Sequence, residues 1–239
     1  MSVTKKEIAE IKKLSNGLVR PIGRDYANVA IVGKRRRGKS TLARVHVERI
    51  YKGFQEAGRN RKILIVDQAP ATAFKDIPAF VSVADLERNL RMRQDDGRKW
   101  LDGIRKMNQL PLTDFKQLFT VLTKYFRNGV IVWDEANQYL ETQGSLPDWQ
   151  MPLFTTNGNL AVDNYIMLHR LFDIPKSLRG HFDHYCYFAT EDAITSPKDL
   201  AKNGFPGPHD KLFELITRVR DVVMAEESPI KYHEWFITN

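Results

Sequence analysis

Residues Gly33-Lys34-Arg35-Arg36-Arg37-Gly38-Lys39-Ser40 carry the spacing G-x-x-x-x-G-K-[ST]. Glycines at both ends let the backbone curl so that successive N–H groups face one spot, and a helix opening from the loop adds its positive end there. Such a concavity suits the phosphates of ATP or GTP. In this pattern Lys39 reaches the β- and γ-phosphates, Ser40 ligates Mg²⁺, and Thr41 follows in the first helical turn. Residues 33–41 are therefore the candidate nucleotide-binding set. A second feature is Asp134-Glu135, which closes the apolar run Gly129-Val130-Ile131-Val132-Trp133. An acid at the tip of a buried strand beside a phosphate loop holds Mg²⁺ through its water shell, and this role falls to Asp134. Glu135 is then placed to orient and deprotonate a water in line with the γ-phosphate. A glutamate there favours hydrolysis over transfer to a second substrate.

Two further groups could complete such a site. The run Tyr165-Ile166-Met167-Leu168 ends in His169-Arg170. In sheets of this kind that strand lies between the phosphate-loop strand and the Asp134 strand, so its end faces the γ-phosphate. His169 can hydrogen-bond that phosphate, and Arg170 can act in the same site or reach a neighbouring subunit. Arg179, in Asp173-Ile174-Pro175-Lys176-Ser177-Leu178-Arg179, is the rival for an arginine given in trans. Such a group is worth ~10³–10⁵ in rate where it operates.

These residues need a scaffold. Five strands are predicted at 27–32, 62–67, 129–134, 165–169 and 184–189, several of them near-continuous apolar runs that read as buried on both faces. Helical stretches alternate with them, among them one after the phosphate loop and one from Asp114 to Phe126. A capping-box spacing at Thr4 opens a further helix carrying Ile8, Ile11 and Leu14. The pattern implies an α/β architecture, a mostly parallel central sheet flanked by helices. One domain over 1–239 is expected, with a helix from about Asp210 and an alternating edge strand at 231–237 closing it. The segment 85–107 is crowded with cations, including Arg88, Arg91, Arg93, Arg98, Lys99, Arg105 and Lys106, around an Asp95-Asp96-Gly97 turn. It reads as a helix with a hairpin inserted between core strands, either a solvated surface or an element that touches a phosphodiester backbone.

The 239 residues carry a net charge of +8, which favours polyanionic partners. The single cysteine, Cys186, excludes an internal disulfide and reads as a small buried strand residue. His181 and His184 have no third ligand beside them, which argues against zinc. No apolar run approaches the ~20 residues of a membrane span, and residues 1–7 lack a signal-peptide core, so a cytoplasmic or virion-associated location is expected. No N-K-x-D or L-S-G-G-Q sequence occurs, which argues against Ras-type GTPases and ABC ATPases.

Taken together, the loop 33–42, Val130 to Ala136, His169-Arg170 and Asp173 to Arg179 resemble the FtsK/HerA branch of RecA-like P-loop NTPases. Within it the likeness is greatest to the genome-packaging ATPases of membrane-containing and double-jelly-roll viruses, of poxvirus and tectivirus type. Glutamine is common in that family where His169 stands. The resemblance implies a homo-oligomeric ring, hexameric or pentameric, that hydrolyses ATP with Mg²⁺ to move DNA, with capsid or portal-vertex proteins as further partners. The basic residues of 85–107 would face its pore. A Zot-like assembly ATPase that moves protein and a small nucleotide kinase are the alternatives. Glu135 and the lack of an acceptor-site signature argue against the kinase.

Overall fold

A computed structural model of the chain describes residues 26–56, 61–68, 72–95, 103–141, 144–225 and 233–238. The helix expected from Thr4 lies outside them. Among the described residues, eight strands form one sheet: β1 (Asn28–Val32), β2 (Lys62–Asp67), β3 (Ala79–Phe80), β4 (Ile104–Asn108), β5 (Gly129–Asp134), β6 (Val162–Leu168), β7 (His184–Phe188) and β8 (His233–Ile237). Their spatial order is β3-β4-β2-β5-β6-β1-β7-β8. All pairings are parallel except that of β8, which runs antiparallel to β7 at the sheet edge. The expected edge strand is thus present. So is the expected position of β6, between the strand leading to the phosphate loop and the strand ending in Asp134.

The helices that cover the sheet are α1 (Lys39–Glu56), α2 (Val83–Asp95), α3 (Phe115–Tyr125), α4 (Met151–Thr155), α5 (Asn157–Leu160), α6 (Pro197–Lys202) and α7 (His209–Ala225). Every residue of β1, β5 and β6 is buried, because helices pack on both faces. Side chains alternate between the faces. On one face Val29, Ile31, Ile63, Ile65, Val130 and Val132 meet Leu42, Ala43 and Val47 of α1, which share one face of that helix. On the other face Ala30, Val32, Leu64, Val66, Ile131 and Trp133 meet Leu86, Leu90, Leu118, Phe119 and Leu122 of α2 and α3. Cys186 is fully buried in β7.

In the basic segment the expected helix is α2, and Ile104–Asn108 form β4, which pairs in parallel with β2 from Ile104 opposite Ile63 to Asn108 opposite Asp67. The turn of the expected hairpin, at Asp96-Gly97, lies outside the described residues. Lys106 is only 6% exposed, and its Nζ donates to the carbonyl of Phe74 at 2.8 Å. A buried ammonium satisfied in this way can sit in a sheet strand, so Lys106 belongs to the sheet and not to an exposed basic surface.

At the β8 edge, His46 of α1 is 5% exposed and stacks on Trp235, with centroids 5.3 Å apart and planes 18° apart. Burial, reinforced by the charges of His233 and Arg49, pushes the His46 imidazole down to about 4. The neutral ring is therefore the form that fits the fold. The unfolded chain, with an ordinary value of 6.5, binds the proton first, so stability is complete above that pH and falls as pH drops toward 4. The full loss is about 3 kcal/mol. The difference in melting temperature between wild type and His46→Phe should change sharply across this window; a constant difference would contradict the account.

Candidate active site

Loop 33–38 is tied to the ends of two strands. The Gly33 N–H donates to the Leu168 carbonyl and the Lys34 N–H to the Ala189 carbonyl, each at 3.1 Å. Gly33 has no room for a side chain: a Cβ there would lie 2.4 Å from Phe188 Cβ. Gly38 turns the chain with φ of 94°, and Arg36 holds φ of 63°. Lys39 is 8% exposed and folds back over the loop, donating to the carbonyls of Gly33 at 2.6 Å and Lys34 at 3.0 Å. Burial pulls its ammonium down to about 8, against the opposing pull of Asp134 and Glu135. Arg35 and Arg36 are exposed, Arg37 and Thr41 are half-buried, and Lys34 bridges to Glu191 at 2.7 Å.

The phosphate-loop helix and β5 converge on Asp134. Ser40 Oγ donates to Asp134 Oδ2 at 3.2 Å, and the Glu135 N–H donates to Oδ1 at 3.0 Å. Asp134 is 4% exposed. Burial, with the charge of Asp67 next to it, raises its carboxyl to about 7 despite the Ser40 hydrogen bond. Asp134 is thus ionised above that pH, while Lys39 stays charged below about 8. A hydroxyl and a buried carboxylate within hydrogen-bond reach form the all-oxygen set that suits Mg²⁺. Ser40 and Asp134 are the residues that would hold it.

Glu135 leaves the strand in a left-handed conformation, φ 52° and ψ 44°. A non-glycine residue in this region is strained, and such residues concentrate at functional sites. The turn aims its carboxylate across the strand ends. Oε2 accepts from His169 Nε2 at 3.2 Å and from Gln138 Nε2 at 3.2 Å, with Arg35 Nη2 at 3.5 Å. Arg35 Nε also lies 3.5 Å from His169 Nε2. One nitrogen cannot donate to the carboxylate and accept from Arg35 together, and the contact with Glu135 is the shorter of the two. Burial pushes Glu135 up, but the His169 hydrogen bond and the charges of His169 and Arg35 outweigh it and hold the carboxyl below its ordinary value. At neutral pH it is an anion able to accept a proton.

Arg170 and Arg179 separate clearly. Arg170 has an exposed guanidinium, 61% accessible, held to Asp173: Nε donates to Oδ1 at 3.1 Å and Nη2 lies at 2.9 Å. Arg179 is 3% exposed and donates to the carbonyls of Ile174 at 3.0 Å, Phe172 at 3.1 Å and Asn203. Its guanidinium also lies over the Phe205 ring at 4.6 Å. Every arm of the guanidinium is used within its own chain, so of the two arginines considered for a trans contribution Arg170 is the one with an exposed side chain. Arg179 pins the 171–181 segment to the end of α6. Arg179→Ala should therefore lower stability by ~3 kcal/mol or more, since three carbonyls lose a charged donor. Chemical denaturation measures this, and a stable variant defective only in hydrolysis would contradict the structural role.

Three contributions escaped the sequence reading. Asp67 ends β2 directly opposite Asp134. Gln138 touches Glu135 from the following turn, and Arg35 reaches Glu135 as well as the loop it belongs to. The first depends on strand order. The other two were within sight, three residues beyond Glu135 and inside the phosphate-loop motif.

No family model matches the sequence, and no curated protein matches it. Solved structures do. The genome packaging NTPase B204 of Sulfolobus turreted icosahedral virus 2, in complex with ATP-gammaS, superposes with a TM-score of 0.58 at 14% identity, over 82% of this chain and 87% of that one. The fold is shared with a viral genome-packaging NTPase. The same protein in complex with AMPPCP gives a TM-score of 0.57 at 15% identity, over 90% of this chain and 92% of the other. B204 of Sulfolobus turreted icosahedral virus, the DNA-packaging ATPase, gives 0.58 at 14%, over 91% and 95%. The mostly parallel sheet with flanking helices expected from the motifs is therefore shared with these structures across most of the chain. No helix among the described residues is long and apolar enough to cross a membrane.

Proposed function

We propose that this protein hydrolyses ATP to move DNA, in the manner of a viral genome-packaging motor. The observation that carries the reading is the Glu135 carboxylate, held by His169 and Arg35 beside the phosphate loop and Asp134. In this reading the backbone of 33–41 and the Lys39 ammonium bind the triphosphate. Ser40 and Asp134 would hold Mg²⁺, which would neutralise phosphate charge. Glu135 takes a proton from the attacking water. His169, already hydrogen-bonded to Glu135, senses the γ-phosphate by moving its N–H between carboxylate and phosphate. Arg170 is the candidate for completing a neighbour's site in a ring, which requires release from Asp173.

DNA as the transported polymer is supported by the shared fold with B204 and by the exposed cations Arg88, Arg91, Lys116 and Lys124 on α2 and α3. Contacts of this kind release counterions and weaken steeply with salt. ATP turnover should rise when double-stranded DNA is added, fall with increasing salt, and track a ring-sized species in light scattering. Turnover by a monomer that ignores DNA would overturn the proposal.

A further inference from the structure

Arg35 belongs to the phosphate loop, yet its side chain reaches the residues at the ends of β5 and β6. Nη2 lies 3.5 Å from Glu135 Oε2, and Nε lies 3.5 Å from His169 Nε2. Both contacts are at the long end of hydrogen-bond range, where the interaction is weak. The ring nitrogen is also a poor acceptor for Arg35, because it is engaged with Glu135 at 3.2 Å. Two donors of one planar guanidinium therefore point at the catalytic groups without a short bond to either. The Arg35 side chain is 73% exposed, against 15% for Glu135. An exposed ion pair of this length adds little stability and costs little to break. Lys34 beside it is committed elsewhere, to Glu191 at 2.7 Å.

In the reading above, the phosphates lie along 33–41 with the outermost one toward Glu135 and His169. A terminal phosphate carries about two negative charges. It also offers paired oxygens that match the fork of a guanidinium, so it outbids a single carboxylate at long range. We propose that Arg35 distinguishes a triphosphate from a diphosphate, its guanidinium passing from Glu135 to the γ-phosphate when ATP fills the loop; the inference rests on the nucleotide-binding reading above. The transfer has two effects. It adds a charge-assisted contact that ADP cannot offer. It also withdraws a cation from Glu135, where burial favours the neutral acid and His169, then Arg35, oppose it. With Arg35 on the phosphate, the carboxylate takes a proton more readily, as a base must when its water is in place. With ADP bound, Arg35 stays on Glu135.

The test is equilibrium binding of ADP and of the ATP analogue AMPPCP, each with Mg²⁺, to intact wild type and Arg35→Gln. The variant should lose about 10–100-fold in affinity for AMPPCP, the worth of one hydrogen bond to a charged group, and less than about twofold for ADP. Its nucleotide-free melting temperature should match that of wild type. An arginine that only shapes the loop predicts equal losses for both nucleotides. That result, an unchanged affinity for AMPPCP, or a lowered nucleotide-free melting temperature overturns the inference and leaves the nucleotide reading standing. A wild type that binds neither nucleotide removes both.

Discussion

Glu135→Gln should slow ATP hydrolysis by about 10²–10⁴-fold, the usual contribution of a general base, while ATP is still bound. The substitution keeps shape and length. The Gln side-chain oxygen can still accept from His169 and Gln138, whose contacts with Oε2 are both 3.2 Å in the wild type. What disappears is the anion. An amide has no proton affinity comparable to a carboxylate held ionised by its neighbours, so water beside the γ-phosphate is aligned but not deprotonated. The binding groups, Lys39 and the loop backbone, are untouched. Single-turnover hydrolysis measured beside filter retention of ATP separates the two effects. A variant that hydrolyses at the wild-type rate would move the base to another residue.

The second large effect is expected at Lys39. Lys39→Ala should weaken ATP binding by about 10²-fold, taking ~3 kcal/mol as the worth of a charged donor facing phosphate. Before a nucleotide arrives, the ammonium is hydrogen-bonded to the carbonyls of Gly33 and Lys34, and burial makes its charge costly. Phosphate oxygens compensate that charge far better than neutral carbonyls do. The nucleotide-free variant should still fold but melt somewhat lower than wild type, because the Gly33 and Lys34 carbonyls lose a charged donor and buried Asp134 loses a neighbouring cation. Isothermal calorimetry with ATP and a thermal melt without it test both halves. Equal ATP affinity in the variant would separate the loop from the phosphates altogether.

Much of this architecture was legible from local signals. The phosphate loop and the Asp134-Glu135 step are contiguous motifs, and the strands that carry them are apolar runs long enough to read without knowing their neighbours. The central position of β6 was also anticipated, because in sheets of this kind the strand closing on a polar residue and arginine lies between the loop strand and the acidic strand. What escaped depends on contacts distant in sequence. Strand β4 looked like a basic surface because the carbonyl that satisfies Lys106 belongs to Phe74, thirty-two residues away. The two-residue strand β3 is too short to show a period. Arg179 stood where an intersubunit arginine could stand, and only its burial against Phe205 and three carbonyls assigns it a structural task. Asp67 was visible as the end of a strand, but its meaning required knowing that β2 lies next to β5.

The left-handed backbone of Glu135 has a further implication for how this protein can change. Glycine accepts φ of 52° with little penalty, whereas other residues held in this region cost of order 1–3 kcal/mol. With Glu135 as the proposed base, robustness and turnover pull apart at this one position: exchange for glycine would relieve the backbone and leave a sturdier molecule without the carboxylate on which the proposed hydrolysis depends.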